Sequence, residues 1–451
     1  MLDLKDIPTS RLPSLVETIV WALNPLQYYE RCREKFGPVF RIKIFGWADL
    51  VMVSDPEVVK DIYAQPRSSL LAGETNKILE PMVGPDSVFV LDGEQHSHAR
   101  RSLQPPLKSQ QLLRQGAMIN ESISGFLNNL DNGRDLSELF REITLSVMVK
   151  VLFGEKSLNT PRAYQKILFP LLGPITGLLA FVPPLRMDFG RFSPFGWYRG
   201  RVKAFSNLIY GEINAQKTIE ELSASQSRSM LQHLLRLQKE DNIVSDEWVK
   251  NQIISLFVAG NDTSAAGMAW ATYWIYSRPD IIQKLRYSLP RVDQFDDEVL
   301  NTIMQDKYLD NVYQEALRVL PVIDFYSRIR TDFCLKTEPK QVFISPCSFL
   351  FQRDEKIFND PKAFVPERFE DNKFDTGNYS PYGGGVRRCI GIHLAEMLIK
   401  LTIFQLVQRF TFEIKGFDSV KPRRRNVILA PSKLIVKSLK FAEKMEPLAT
   451  L

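Results

Sequence analysis

The chain has 451 residues, of which 44% are hydrophobic, and it contains no internal repeat or flexible linker that would divide it. This length and composition are ample for a large buried core. The formal net charge of +6 is too small to indicate nucleic-acid binding. It is compatible with an acidic protein partner or an anionic membrane surface.

The four cysteines stand at positions 32, 334, 347 and 389, and no C-x-x-C pair occurs. So few cysteines in so long a chain do not form a disulfide framework, and the lack of a C-x-x-C pair disfavours a zinc site. Reduced thiols fit a cytoplasmic protein.

The N-terminal apolar run at residues 12–23 contains Pro13 and Glu17. It is too short to span a bilayer, and no signal-peptide pattern precedes it. We therefore expect a soluble protein.

A small β region is predicted near the N-terminus. A helix begins at residues 24–25, where Asn is the N-cap and Pro the first helical residue, and ends at Gly37. Two β-rich runs within residues 39–53 flank a turn at 46–49, which predicts a hairpin. Asp-Pro at 55–56 begins the next helix.

Residues 70–91 are rich in turn signals and precede a basic helix. In that helix His96 and Arg100 are spaced i and i+4, so they share one face. Taken alone, the pattern is typical of a solvated basic helix.

Residues 168–185 are hydrophobic but contain four prolines and two glycines. A spanning helix would not be interrupted in this way. The segment is either an apolar lid, which would imply an apolar substrate and is compatible with contact at a membrane surface, or an ordinary buried loop and helix.

The longest helical pattern begins at Ser245, a capping residue, and extends to about Ser277. From Ile253 to Tyr276 it is apolar except in the middle, at residues 259–264. A buried Asp would be costly in a membrane, and no second spanning segment exists, so we expect a helix that runs through a soluble core.

The middle of this helix has residues suited to chemistry. Ala259 and Gly260 remove bulk, which leaves room for a flat group beside the helix. Thr263 lies one turn beyond Ala259 on the same face, where its hydroxyl can bond to the carbonyl four residues back or hold a water. Asp262 beside it can relay protons.

The next segment combines an ion pair with an apolar strand. Glu315 and Arg318 share a helix face, a pattern that by itself is usually a weak surface pair. The apolar stretch at 321–328 contains Asp324, which we predict to face solvent or, as an alternative, to anchor a polar group of the substrate. Arginines at 423–425 predict a solvated turn, followed by a hairpin over 427–439 that turns at 431–432.

Residues 380–391 read Ser-Pro-Tyr-Gly-Gly-Gly-Val-Arg-Arg-Cys-Ile-Gly and precede an apolar helix that extends to about Phe410. Glycines allow a tight turn with positive φ, and a cysteine before a helix N-terminus receives N–H groups that stabilise a metal-binding thiolate. A buried cysteine behind a glycine turn is the alternative. A phosphate loop is disfavoured because no Gly-Lys-Ser/Thr follows.

This stretch resembles the haem-binding loop of the cytochrome P-450 superfamily, whose pattern is F-G-x-G-x-R-x-C-x-G. Tyr382 replaces the usual Phe. The matching positions are Gly383, Gly385, Arg387, Cys389 and Gly391.

Other motifs of the superfamily occur in the same order along residues 24–440. Residues 259–264 match the oxygen-activation motif A/G-G-x-D/E-T-T/S, residues 315–318 match E-x-x-R, and residues 366–369 match the partner motif of E-x-x-R. The resemblance implies a buried structural network of Glu315, Arg318 and Arg368.

The resemblance implies a mainly α fold with a small β region, mostly at 38–55, 325–350 and 411–440, in a single domain of residues 1–451. Haem b would lie between the long central helix and the cysteine loop, with Cys389 as the axial iron ligand. The implied cofactor-binding positions are His96, Arg100, Arg328, Arg387, Tyr382, Gly383, Ala259, Gly260 and Cys389. The implied pocket positions are Val322, Ile323, Phe325, Ala259 and Thr263.

The implied activity is a monooxygenase that hydroxylates or epoxidises a lipophilic molecule, such as a fatty acid or terpenoid. Asp262 would deliver protons and Thr263 would stabilise bound oxygen, a pair that family members rearranging peroxides usually lack. Electrons would come from a separate ferredoxin or flavodoxin, with Arg388, Arg101 and Lys108 as docking candidates. A peroxide-driven or isomerising enzyme and a haem-thiolate sensor are the alternatives.

Overall fold

The computed structural model describes residues 6–66, 69–155, 157–181, 185, 187, 189–190, 193–218, 229–292, 294–330 and 341–442. The helices are α1 (Ser14–Leu23), α2 (Pro25–Phe36), α3 (Pro56–Ala64), α4 (Gly73–Asn76), α5 (Glu80–Val83), α6 (Gly93–Leu103), α7 (Ser109–Leu113), α8 (Gly116–Leu127), α9 (Leu136–Phe153), α10 (Pro161–Leu171), α11 (Pro174–Phe181), α12 (Pro194–Lys217), α13 (Met230–Leu237), α14 (Asp246–Tyr276), α15 (Pro279–Ser288), α16 (Asp297–Gln305), α17 (Lys307–Val319), α18 (Ser348–Phe351) and α19 (Ile392–Arg409). The strands are β1 (Val39–Lys43), β2 (Asp49–Val53), β3 (Leu70–Leu71), β4 (Ile329–Arg330), β5 (Val342–Pro346), β6 (Phe410–Ile414), β7 (Pro422–Arg425), β8 (Ile428–Pro431) and β9 (Val436–Phe441).

The predicted N-terminal hairpin is confirmed. Strand β1 pairs antiparallel with β2, and β2 pairs parallel with β5, so that Val51 lies opposite both Arg41 and Ile344. The parallel pairing connects residues from the two ends of the chain. Part of the β region predicted at 325–350, residues 331–340, lies outside the described residues.

Helix boundaries follow the predicted caps. The side chain of Asn24 accepts a hydrogen bond from the Gln27 N–H at 3.4 Å at the start of α2. The Ser245 hydroxyl accepts from the Trp248 N–H at 3.1 Å at the start of α14. Because a cap satisfies N–H groups that have no partner inside the helix, it fixes where the helix begins.

Helix α14 runs through the core. Most of its residues from Trp248 to Thr272 are buried, and it packs against α9, α17, α19 and β8. A helix that is apolar around most of its circumference is stable in this position because neighbouring elements cover each face. None of the helices in the described part of the chain is long and apolar enough to cross a membrane.

Helix α1 differs from a usual surface helix in that its aliphatic side chains face solvent and an acidic side chain is buried. It buries Glu17 and Trp21 and exposes Leu15, Ile19 and Leu23. The Glu17 carboxylate accepts hydrogen bonds from the Tyr28 hydroxyl at 2.6 Å and the Lys43 N–H at 3.3 Å. Polar contacts therefore attach this helix to the body of the protein, and its aliphatic side chains face outward.

The C-terminal hairpin differs from the prediction. Strand β7 pairs antiparallel with β8, whereas β9 pairs with β6. The turn is at residues 426–427, where Asn426 has φ +54°, a conformation that Asn adopts more readily than most residues. The predicted turn at Pro431–Ser432 is wrong, because Pro431 pairs with Pro422 at the open end of this hairpin.

Candidate functional site

The cysteine loop, residues 380–391, makes the tight turn that its glycines predict. Gly383 and Gly385 have φ values of +69° and +62°, in the region that favours glycine. The Cys389 N–H donates to the Tyr382 carbonyl at 3.0 Å, which closes the loop just before α19.

Side-chain and backbone atoms of Tyr63 and Tyr326 occupy the space that these glycines leave. A Cβ on Gly384 would lie 2.3 Å from the Tyr63 ring, and one on Gly385 would lie 2.4 Å from the Tyr63 carbonyl oxygen. Tyr63 belongs to α3, so helix α3 approaches the loop closely. A Cβ on Gly383 would lie 3.3 Å from the Tyr326 ring.

Cys389 combines accessible surface with a desolvated thiol. The residue has accessible surface, and yet burial raises the pKa of the thiol above its ordinary value. Both observations hold if the protein surrounds the sulfur without any side chain covering it. The Gly391 N–H and the charges of Arg100 and Arg388 lower the pKa, but burial outweighs them. The thiolate is the form of cysteine that ligates iron.

The middle of α14 also has accessible surface inside the protein. Val258, Ala259, Gly260 and Thr263 are partly exposed, whereas their neighbours along the helix are buried. The Thr263 hydroxyl donates to the Ala259 carbonyl one turn back. A flat group beside this part of the helix fits these residues.

Gly260 also allows close packing between α14 and α9. A Cβ at this position would lie 3.0 Å from the Sδ and Cε atoms of Met148 in α9. The missing side chain thus allows α9 to approach α14. The sequence interpretation, that Gly260 makes room for a flat group, did not foresee this contact.

Asp262 is buried and forms an ion pair. Arg141 Nε of α9 donates to its Oδ1 at 2.9 Å, as does Asn261 Nδ2 at 2.9 Å. The same guanidinium bonds to Glu138 at 3.0 Å and stacks 4.0 Å from the centre of the Phe169 ring in α10. Sequence reasoning missed Arg141, because it lies 121 residues from Asp262 and carries no motif.

Arg100, Arg328 and Arg387 lie near one another at the cysteine loop. His96 is buried on α6, and Arg100 on the same helix is partly accessible. Burial lowers the pKa of Arg328, whose guanidinium donates to the Ser327 carbonyl at 2.7 Å; within the described residues it forms no ion pair. Burial also lowers the pKa of Arg387 to about 10. Buried guanidinium groups favour an anion, and the two carboxylates of haem fit that requirement.

The structure brings together the three residues of the expected structural network. Arg318 Nε and Nη2 donate to the Glu315 carboxylate at 2.6 and 2.9 Å, and Arg368 Nε donates to it at 3.2 Å. Glu315 and Arg318 are fully buried. The remaining Arg318 donors bond to backbone carbonyls, so no N–H of this guanidinium depends on water.

In the apolar stretch at 321–328, the predictions for Asp324 and for its partner Arg424 are both wrong. Asp324 is 1% exposed, and its carboxylate pairs with Arg424 of β7. Asp324 therefore neither faces solvent nor is free to anchor a substrate, and Arg424 is not in a solvated turn. Phe325 packs edge-on against Tyr29 with ring centroids 6.5 Å apart. Val322 is buried, and Ile323 and Phe325 are partly accessible.

The chain matches known proteins over nearly its whole length. A sequence model of the family described as Cytochrome P450 matches residues 8–438. A protein named Putative cytochrome P450 135B1, from Mycobacterium tuberculosis, is 27% identical over 434 residues, which cover 94% of this chain and 89% of the relative. Cytochrome P450 3A30 from Fundulus heteroclitus is 25% identical over 414 residues, which cover 85% and 82%.

A solved structure shares the fold. The structure titled Retinoic acid bound cyanobacterial CYP120A1 has a TM-score of 0.82 and 22% sequence identity, and covers 97% of this chain and 99% of that one. The class is thus a haem-dependent, oxygen-using oxidoreductase with a mainly α fold and a small β region, as the sequence predicted. This chain belongs to the cytochrome P-450 family, and it is a monooxygenase.

Proposed function

We propose that the protein is a haem-thiolate monooxygenase that hydroxylates or epoxidises a lipophilic molecule such as a fatty acid or terpenoid. We also propose that it works as one domain with haem b. The observation that carries the proposal is the accessible Cys389 residue at the end of a loop closed by positive-φ glycines. Bound haem would supply the redox-active iron that activates O2.

The residues of the chain have distinct tasks in this proposal. Cys389 ligates the iron, and His96, Arg100, Arg328 and Arg387 bind the haem carboxylates by charge-assisted hydrogen bonds. The Thr263 Oγ1 can leave the Ala259 carbonyl and donate to the oxygen substrate or to a water beside it.

Asp262 is the proposed proton donor. Its carboxylate is buried and bonded to Arg141, which extends to the partly exposed Glu138. A guanidinium stays protonated and does not relay a proton. Arg141 therefore orients the Asp262 carboxylate, and a proton reaches Asp262 from water when this ion pair opens. Val322, Ile323 and Phe325 exclude water from the substrate.

The substrate class is proposed from the apolar character of the region around the site. The lid segment 168–185 includes α11, and its Pro183 and Pro184 lie outside the described residues. Titration with fatty acids, terpenes and sterols, followed by the change in haem spin state, tests the proposal. Retinoic acid, the apolar ligand of the structural neighbour, belongs in the panel. No shift with any of these would contradict a lipophilic substrate.

Three experiments distinguish the alternatives. Cys389→Ser should remove the thiolate signature from the reduced carbon-monoxide spectrum, and Cys32→Ser serves as the matched control. Thr263→Ala and Asp262→Asn should each lower O2-supported product formation by about 100-fold, typical of lost proton transfer. Turnover with peroxide that survives Thr263→Ala would favour a peroxide-driven or isomerising enzyme. O2 consumption without oxygenated product would favour a sensor.

Electrons are proposed to come from a separate ferredoxin or flavodoxin. Arg388, Arg101 and Lys108 are exposed, as a surface for an acidic partner requires. Arg388→Glu should weaken binding of an acidic ferredoxin, more at low than at high salt. Binding equal to the wild type would rule out Arg388 as a docking residue.

We propose a cytoplasmic protein that touches a membrane surface. The outward aliphatic face of α1 supports the contact, since Leu15 and Ile19 are each 51% exposed and Leu23 is 81% exposed. Ile19→Ser with Leu23→Ser should reduce co-flotation with anionic vesicles. Equal flotation of variant and wild type would contradict the role of α1.

A further inference from the structure

Asp92 lies between two parts of the proposed site that are far apart in sequence. Its Oδ1 accepts hydrogen bonds from the Ala72 and Gly73 N–H groups at 3.0 Å each, and its Oδ2 accepts from the Glu74 N–H at 3.3 Å. The same carboxylate pairs with Arg387 of the cysteine loop. One side chain thus joins residues 70–91, the segment just before it, to the loop that carries Cys389. The family resemblance implies that residues 70–91 cover the substrate pocket, and they are here called the roof segment.

The local backbone is shaped to admit this carboxylate. A Cβ on Gly73 would lie 2.6 Å from Asp92 Oδ2 and 2.3 Å from the Val90 carbonyl oxygen. Gly93, directly after Asp92, has φ +55°. Any side chain at Gly73 would displace the carboxylate, so glycine is required for this contact.

Arg387 is fixed to the roof segment by two further bonds. Its Nη1 donates to the Val88 carbonyl at 3.2 Å and its Nη2 to the Leu91 carbonyl at 2.5 Å. Val88 is in turn bound to α14, because its N–H donates to Gln252 Oε1 at 3.0 Å. A displacement of the roof segment therefore moves the acceptors on which Arg387 depends.

The charges support the same connection. Asp92 forms an ion pair with Arg387, and Arg328 and Arg100 lie close enough to interact electrostatically with the same guanidinium. These three guanidinium groups and one carboxylate have a net charge of two positive, which balances the two carboxylates of a haem. Replacing Asp92 by a neutral residue would leave an excess positive charge beside the cysteine loop.

We propose that Asp92 is a positioning residue that couples the roof segment to Arg387, so that substrate bound under the roof changes the electrostatic environment of the haem. The coupling to haem rests on the proposed function. The mechanical link between roof and loop does not, because the bonds that form it are all within the chain.

The first test is hydrogen exchange on the protein before and after haem loading. Asp92→Asn should raise exchange about tenfold both in residues 70–78 and in residues 383–390. Glu94→Gln is the matched control, since it removes one negative charge from an exposed residue at the start of α6, two positions after Asp92, and should change neither region. Combining Asp92→Asn with Arg387→Lys should add little to either single change.

The second test is the reduction potential with and without a spin-shifting fatty acid. Asp92→Asn should raise the potential of the substrate-free protein and narrow the difference that substrate produces. Asp92→Glu, which keeps the charge and changes the reach, should restore the potential but not the slow exchange of the roof segment. If Asp92→Asn does not fold, Asp92→Glu replaces it in the hydrogen-exchange measurement.

Two results would overturn the inference. Faster exchange confined to residues 70–78, with an unchanged potential, would make Asp92 a structural cap of the roof alone. Fully additive effects of Asp92→Asn and Arg387→Lys would show that the two residues act separately. These results are distinguishable from failure of the proposed function. If the protein were not a haem-thiolate enzyme, the wild type would lack the thiolate spectrum, and the hydrogen-exchange results would be unchanged.

Discussion

The buried pair of Asp324 and Arg424 makes a quantitative prediction about stability. Arg424→Met removes the cation and leaves the Asp324 carboxylate, which is 1% exposed, without its partner. Stranding a buried charge costs about 3–5 kcal/mol. The lost stacking of the guanidinium on Trp21, at 5.2 Å, adds about 0.5–1 kcal/mol, so the charge term decides the outcome.

Urea unfolding followed by circular dichroism measures the change in the free energy of unfolding. Arg423→Met is the matched control: it changes the same residue type one position earlier on β7, where the side chain is exposed, and should have an effect within about 0.5 kcal/mol. The double variant Asp324→Leu with Arg424→Met removes both charges and should recover most of the loss.

Two results would refute this reasoning. An Arg424→Met variant within about 1 kcal/mol of the wild type would show that water or another group compensates for Asp324. A double variant as unstable as the single one would show that packing, and not the stranded charge, accounts for the cost.

Three further predictions concern single side chains. The Tyr382 hydroxyl is buried with no hydrogen-bond partner in the described part of the chain, so Tyr382→Phe should stabilise the protein by about 1 kcal/mol in thermal unfolding; a loss of stability would reveal a partner for the hydroxyl. Arg141→Met should lower product formed per O2 about tenfold or more with an unchanged thiolate spectrum, because Asp262 loses its orienting partner, and Arg141→Lys should retain part of the activity. Burial lowers the pKa of His233 below 6.5; the unfolded chain then binds the proton more readily, so stability is lost as pH falls through 6.5, and His233→Gln should lose less between pH 7.5 and 5.5.

Features that depend on neighbouring residues were predictable from the sequence. The start of α14 at Ser245 follows from a cap and an apolar pattern, both of which act within a few residues. The positive φ of Gly383 and Gly385 follows from the run of glycines. The family motifs indicated the candidate iron ligand, Cys389, and the candidate residues for oxygen activation, Asp262 and Thr263. These motifs could be recognised because each keeps a fixed spacing within one helix or loop.

Features that depend on distant pairing were not predictable. Asp324 and Arg424 are 100 residues apart, and each alone resembles an ordinary surface charge. The contact of Tyr63 with Gly384 had no sequence signal either: the glycine indicates that something approaches, but not which side chain does. The pairing of β7 with β8 was missed because Pro431 suggested a turn, although proline is equally suited to the end of an edge strand.

The residues that hold the cysteine loop, Tyr63 and Asp92, come from the first quarter of the chain, whereas Cys389 comes from the last. During synthesis, the apolar helix α14 is complete at Tyr276, and more than a hundred residues must follow before Cys389 leaves the ribosome. At about 5–20 residues per second, this leaves the helix without its final neighbours for on the order of ten seconds. Codon changes that slow translation between residues 277 and 389 lengthen this interval and should lower the yield of folded protein.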